Sequence, residues 1–330
     1  MKRFNRIVVG CFTALALMFG FSGLAMADYP DKPLRIIVPT SPGGSIDRMA
    51  RSVERFLPEI IDVRVIVENR KGAGGTIAIK HFLRQKADGY TLLVAPQPSL
   101  SLIMKMAPGL VEFDQLSVIN VNWIDPSLIV VRKDIGWSSF DDMITAIKNK
   151  PNHYKLGLAG KFAAPTFAMG ILLGKMGIKV KKIPYTGGGD SRLALRGGHI
   201  DILAAGADGS LTIADVSKPV AVFWSDPIKQ WPGAARINDE LKKHNTAVPN
   251  MASIRFFAVH SDVKNNYPQR YQTLVSAFQK LVTSHEGFRK FCEESEIGHE
   301  WHGPKKSIEL VMESHQAMSE IKMPKRKKKK

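Results

Sequence analysis

Glycines gather at four places along this chain, and at each of them hydroxyl or basic residues stand alongside. The stretches are Pro39-Thr40-Ser41-Pro42-Gly43-Gly44-Ser45-Ile46-Asp47, Arg70 to Gly75, Ala159 to Thr166, and Gly187-Gly188-Gly189. A glycine-rich turn that opens a helix presents unpaired backbone N–H groups and the positive end of the helix dipole, and this is a chemistry for holding anions. Gly43 and Gly44 let backbone amides approach such an anion, while Thr40, Ser41 and Ser45 offer hydroxyls. Asp47, in the first helical turn, complements the dipole. Any one such turn can serve geometry alone. Several of them converging on one cleft make a carboxylate site. Lys161 has two readings: a charged partner for a second ligand carboxylate, or a side chain that snorkels into water.

Catalytic patterns are weak. Gly189-Asp190-Ser191-Arg192-Leu193 is similar to the nucleophile block of one hydrolase class, but no Asp-x-x-His follows near the C-terminus to supply a base for Ser191. There is no G-x-S-x-G elbow, no phosphate-binding G-x-x-x-x-G-K-[ST] and no H-E-x-x-H. His299-x-x-His302 beside Glu300 has helical spacing for a metal, yet next to Trp301 it reads as surface. The expectation is a non-enzyme without metal or cofactor.

These loops need elements to hold them. From Leu34 the chain alternates: strand 34–38, glycine turn, helix 46–57, strand 63–67, glycine turn, helix 76–85, strand 91–95. Alternation of this kind implies a parallel sheet. On the first helix Ile46, Met49, Ala50, Val53 and Leu57 share a face, with Arg48, Arg51, Glu54 and Arg55 turned away from it. A second unit follows Pro151: strand 155–158, helix 165–176, strand 181–184, helix 190–196, strands 201–205 and 220–224. Extended β-branched segments, 117–131 and 254–259, read as two crossings between the units, and helices 270–282, 286–293 and 307–317 as a return to the first. The fold expected is α/β: two lobes joined by two extended hinge crossings around a cleft. In such lobes ligands bind beyond the carboxyl ends of the strands.

Composition agrees with a folded, exported body. The chain has 330 residues, 44% hydrophobic and 23% charged, with a formal net charge of +17. Much of that charge sits at the ends. Lys2, Arg3 and Arg6 precede an apolar run to Leu24 and then Ala25-Met26-Ala27, the pattern of a cleaved secretory signal. Lys325 to Lys330 form a basic tail that repels itself, and without interleaved aromatics it reads as solvated rather than as a nucleic-acid site. Without the two ends the body is mildly basic, which suits anionic ligands. Residues 1–27 are read as the signal, 28–125 with 255–323 as lobe 1, 126–254 as lobe 2, and 324–330 as a disordered tail.

Several strings together carry a family resemblance. Tyr29-Pro30-Asp31-Lys32-Pro33, Val38-Pro39 through Pro42-Gly43-Gly44-x-x-Asp47, Val67-Glu68-Asn69-Arg70-x-Gly72-Ala73-Gly74-Gly75, Asp88-Gly89-Tyr90-Thr91-Leu92-Leu93, Ile183-Pro184-Tyr185-x-Gly187-Gly188 and Gly197-Gly198-x-Ile200-Asp201 occur in order over nearly the whole mature chain. The chain resembles the Bug receptors, the extracytoplasmic solute-binding proteins of tripartite tricarboxylate transporters. That resemblance implies a type II periplasmic-binding-protein fold and a periplasmic monomer. It implies a small organic carboxylate as ligand, delivered to a membrane permease. A sensor that hands its liganded form to a membrane signalling partner is the alternative, and a secreted hydrolase using Ser191 a remote one. The ligand-binding set expected is Thr40, Ser41, Gly43, Gly44, Ser45, Asp47, Gln97, Ser99, Lys161, Thr166, Tyr185, Gly188 and Asp208. Two departures stand out: where the family usually shows His-Leu after a Ser or Thr, this chain has Thr166 followed by Phe167, with Lys161 and Pro165 added, and Ala95 to Ser99 lacks the usual small-residue pattern.

Overall fold

Leu34, Ile36 and Val38 of the first strand are buried on one face, and Ile37 is buried on the other. Successive side chains of a strand point to opposite faces, so a run that is apolar at nearly every position must be covered on both sides. The computed structural model describes residues 29–185 and 187–319. The signal assigned to 1–27 and the tail assigned to 324–330 lie outside the described residues.

In chain order the strands are β1 (Leu34–Val38), β2 (Val65–Asn69), β3 (Thr91–Gln97), β4 (Leu116–Arg132), β5 (Lys155–Ala159), β6 (Lys181–Tyr185), β7 (Ile202–Gly206), β8 (Ser217–Val222), β9 (Ala235–Arg236) and β10 (Ala252–His260). Their hydrogen-bonded order is β2-β1-β3-β10-β4-β7-β5-β6, with β8 also on β4 and β9 beside β8. β1 runs parallel to β2 and β3, and β5 parallel to β6 and β7, as expected for two β-α-β units. β10 is antiparallel to both β3 and β4. The 17-residue β4 serves both lobes. Leu116 to Pro126 pair with β10, and Ser127 to Arg132 with β7 and β8. Both crossings read from the sequence are therefore strands, paired with each other.

Helices cover the sheet on both faces. Met49, Ala50 and Val53 of helix Ser45–Phe56 and Phe278 and Leu281 of helix Pro268–Ser284 share a core with Leu34, Ile36 and Val38. Ile37, Leu93 and Ala95 pack on the other side with Ile79 and Phe82 of helix Thr76–Leu83 and Leu100 and Ile103 of helix Ser99–Met106. In the second lobe Ile129, Val131 and Ile202 lie under helices Phe140–Asn149 and Ala164–Met176, and Leu128, Val130 and Leu203 under helix Gly188–Arg196. Helix Phe140–Asn149 is absent from the sequence reading, although its start carries a capping box: Ser139 Oγ accepts from the Asp142 N–H, and the Asp142 carboxylate accepts from the Ser139 N–H. No helix among the described residues is long and apolar enough to cross a membrane.

Candidate functional site

At the carboxyl ends of β1, β2, β3, β5, β6 and β7 the two lobes enclose a cleft of about 800 Å³. All four glycine-bearing stretches reach it. Their tight backbones come from local geometry, as Gly43, with φ of 81°, and Gly74, with φ of 68°, hold left-handed conformations that suit glycine.

Thr40, Ser41, Gly43, Gly44 and Ser45 line the first-lobe wall. Thr40 Oγ1 is buried there without a hydrogen-bond partner among the described residues. Helix Ser45–Phe56 has Gly44 at its N-cap and no side-chain cap, which leaves its first N–H groups unpaired toward the cleft. Asp47, in the expected set, is not among the cleft-lining residues. Its Oδ2 accepts from the Gly43 N–H at 2.8 Å and from Arg51 Nε at 3.0 Å, and its Oδ1 accepts from Asn69 Nδ2 at 2.8 Å. It fastens the loop from beneath and does not face the cleft. The Gly43 amide is thereby already used, and the anion-facing donors shift to Gly44 and the helix start.

Three more expected residues turn away. Gln97 is fully buried, and its Oε1 accepts from Ser101 Oγ at 2.8 Å. Thr166 is spent on its own turn, its Oγ1 donating to the Gly160 carbonyl at 2.6 Å. Asp208 stands outside the cleft lining and accepts from Trp123 Nε1 and, at 2.8 Å, from Gln230 Nε2. Burial first, and the nearby Asp125 charge second, push its carboxyl up to about 7. Ser99, Lys161, Tyr185 and Gly188 do line the cleft. The Ser99 hydroxyl, however, donates across the lobes to the Phe162 carbonyl at 2.8 Å. Lys161 is exposed, with Nζ 5.3 Å from the centre of the Phe162 ring. Ser191, weighed as a nucleophile, is fully buried and donates to the Gly188 carbonyl. His299 and His302 each lie near a different glutamate, Glu293 at 3.8 Å and Glu300 at 2.8 Å.

The sequence reading missed the arginines. Arg48, Arg192 and Arg255 line the cleft together with Lys71 and Lys161, five cations against the two carboxylates Asp125 and Asp190. Arg255 is 5% exposed and stacks on Trp123, its cross-strand neighbour, with Cζ 3.9 Å from the ring. Its Nη2 donates to Asp125 Oδ2 at 2.9 Å, while Nε and Nη1 find no partner among the described residues. A bulge in the β4–β10 ladder falls between Arg255 and Phe256, a feature that re-aims side chains. Gly206 makes room for the pair, since a Cβ there would lie 2.1 Å from Asp125 Oδ2. The one available signal was a lone charge inside the apolar run 252–259.

Comparison with known proteins places this geometry among relatives. The family model described as tripartite tricarboxylate transporter family receptor matches residues 49–216. Protein BugT of Bordetella pertussis is 30% identical over 76% of this chain and 73% of its own length. A UPF0065 protein of the same organism is 29% identical over 57% of this chain, which spans 58% of that protein's length. Among solved structures, the periplasmic binding protein BugD superposes with a TM-score of 0.70 at 19% identity, covering 88% of this chain and 95% of that one. A Rhodopseudomonas palustris protein solved with adipate superposes with a TM-score of 0.71 at 20% identity, over 88% and 95%. At these identities the structural likeness concerns the fold, two α/β lobes about a cleft.

Proposed function

Because the chain belongs to the tripartite tricarboxylate transporter receptor family, we propose that it captures a small organic carboxylate between its lobes and delivers it to a membrane permease of that transporter class. The observation that carries the reading is the cleft itself. Unpaired helix N–H groups, the unpartnered Thr40 hydroxyl and an excess of cations meet at one place. The adipate held by the Rhodopseudomonas palustris neighbour supports a carboxylate as the chemical class. In this proposal the protein is exported by cleavage of residues 1–27 and acts as a periplasmic monomer without chemistry of its own. Thr40, Ser41, Gly44 and Ser45 hold one carboxylate, and Tyr185 and Gly188 bound the ligand from the other lobe. The lobes divide at 125/126 and 254/255. The change of partners along β4 at Ser127 supports the first of these boundaries, and the pairing of Ala252 with Pro126 the second.

Gly44→Val tests this reading. Gly44 is extended, with φ of −71° and ψ of 165°, and an added Cβ would meet the Ser41 carbonyl at an ordinary 3.6 Å, so the fold accepts the side chain. The bulk crowds the helix start instead. In calorimetric titrations with a panel of mono-, di- and tricarboxylates, a ligand bound by the parent chain is expected to bind at least roughly tenfold more weakly to this variant, with the melting temperature nearly kept. Undiminished affinity in a folded variant removes this loop from the site.

A further inference from the structure

Arg192 occupies a slot made by two glycines. A Cβ on Gly188 would lie 2.6 Å from its Nη1, and a Cβ on Gly209 2.8 Å from the same atom. The guanidinium thus rests against bare backbone on both sides. Among the described residues no carboxylate stands within ion-pair distance of it. Burial is the largest influence lowering its proton affinity; the like charge of Arg48 adds to this, and Asp125 and Glu296 oppose it. Arg48 comes from the opposite lobe, on helix Ser45–Phe56, and gives one N–H to the Ser295 carbonyl at 2.8 Å. It too lacks a carboxylate at ion-pair distance among the described residues. Two guanidiniums without an ion-pair partner among the described residues, one from each lobe, therefore line a single cleft, and on the crossing strand Arg255 adds the unpartnered donors of Nε and Nη1.

Guanidinium charge drawn out of water without a counter-ion is costly, and like charges brought together add to that cost. An anion with a single charge, held by loop amides of the first lobe, leaves Arg192 uncompensated as the lobes enclose it. A second carboxylate at Arg192 removes the penalty and adds charge-assisted hydrogen bonds in the fork geometry that guanidinium offers. The cost imposed on the wrong ligand and the gain for the right one both act as specificity.

We infer that Arg192 binds the ligand directly and, with Arg48 opposite it and the unpartnered donors of Arg255, makes the cleft selective for small dicarboxylates over monocarboxylates. This deepens the receptor reading and rests on it. The second ligand carboxylate, given to Lys161 as one reading of the sequence, then falls to Arg192, and Lys161 remains at the rim.

The test compares anions of one shape that differ by one charge: succinate against succinamate, and adipate against adipamate, by calorimetry on the full chain at constant ionic strength. Arg192→Met keeps the stem and removes the charge without stranding a partner. Its expected effect is a roughly tenfold to hundredfold loss for the diacids and less than about twofold for the monoamides. Arg192→Lys, which restores charge but not the fork, is expected to recover part of the diacid affinity and to leave the monoamides as they were. A second measurement needs no variant: in the parent chain the diacid Kd is expected to rise more steeply with salt than that of the monoamide. Equal losses for both members of a pair, no loss for either, or equal salt slopes overturn the assignment of Arg192 while leaving the receptor reading in place. A parent chain that binds neither these four compounds nor any member of the wider mono-, di- and tricarboxylate panel at millimolar concentration overturns the receptor reading and this inference together.

Discussion

Asp208 shows how far a residue's chemistry depends on its surroundings. Its carboxyl accepts hydrogen bonds from Trp123 and Gln230, yet burial and the neighbouring Asp125 raise it from the ordinary aspartate value to about 7. A carboxyl raised on folding holds its proton in the native state where the unfolded chain has already released it, so this group favours the fold at low pH and the advantage is lost as pH rises toward 7. Asp208→Asn removes that titration. The melting temperature of the variant, taken relative to the parent chain, is expected to increase steadily between about pH 5 and pH 8, with most of the change below about pH 7. A constant difference across that range places the titration elsewhere.

The two crossing strands are held together by more than their ladder. Arg255 of β10 and Asp125 of β4 form a buried pair at 2.9 Å, and the second Asp125 oxygen accepts the Asp208 N–H at 3.1 Å, which ties β7's end to the same point. A buried pair adds little net stability, but breaking it from one side strands a charge. Asp125→Ala is therefore expected to cost on the order of 3–5 kcal/mol in chemical denaturation. Asp125→Asn, which retains an acceptor for Arg255, is expected to cost less. An alanine variant as stable as the parent would mean that Arg255 finds another partner.

Across the whole molecule the lobes also meet at the cleft mouth. Phe162 of the second lobe lies so close to Gly74 of the first that a Cβ there would be 2.4 Å from its ring, and the Phe162 carbonyl accepts from Ser99. Leu102 of helix Ser99–Met106 packs into the second-lobe core. Closure of two lobes on a ligand is limited by such contacts on release. Phe162→Ala removes the ring but keeps the carbonyl. In stopped-flow fluorescence with a bound diacid, the dissociation rate constant is expected to rise several-fold while association changes little; an unchanged dissociation rate shows that this contact does not restrain opening.

Strand and helix periods, glycine turns and the two β-branched crossings are properties of neighbouring residues, so the two lobes and the glycine loops around the cleft were legible along the chain. Helix Ser45–Phe56 buries Ile46, Met49, Ala50 and Val53 as its period requires. The direction of a polar side chain is a different matter. Asp47 and Gln97 stand beside cleft-lining residues in sequence, yet each turns to partners that hold the loop or the core. Arg255 meets Asp125 across 130 positions, and Arg48 and Arg192 line one cleft from different lobes. Local spacing carries no record of such approaches, because charge pairing and desolvation depend on distance in space. Periodicity, glycine turns and the two crossings pointed to the cleft; which charges face into it was decided only when β4 and β10 paired and brought the lobes together.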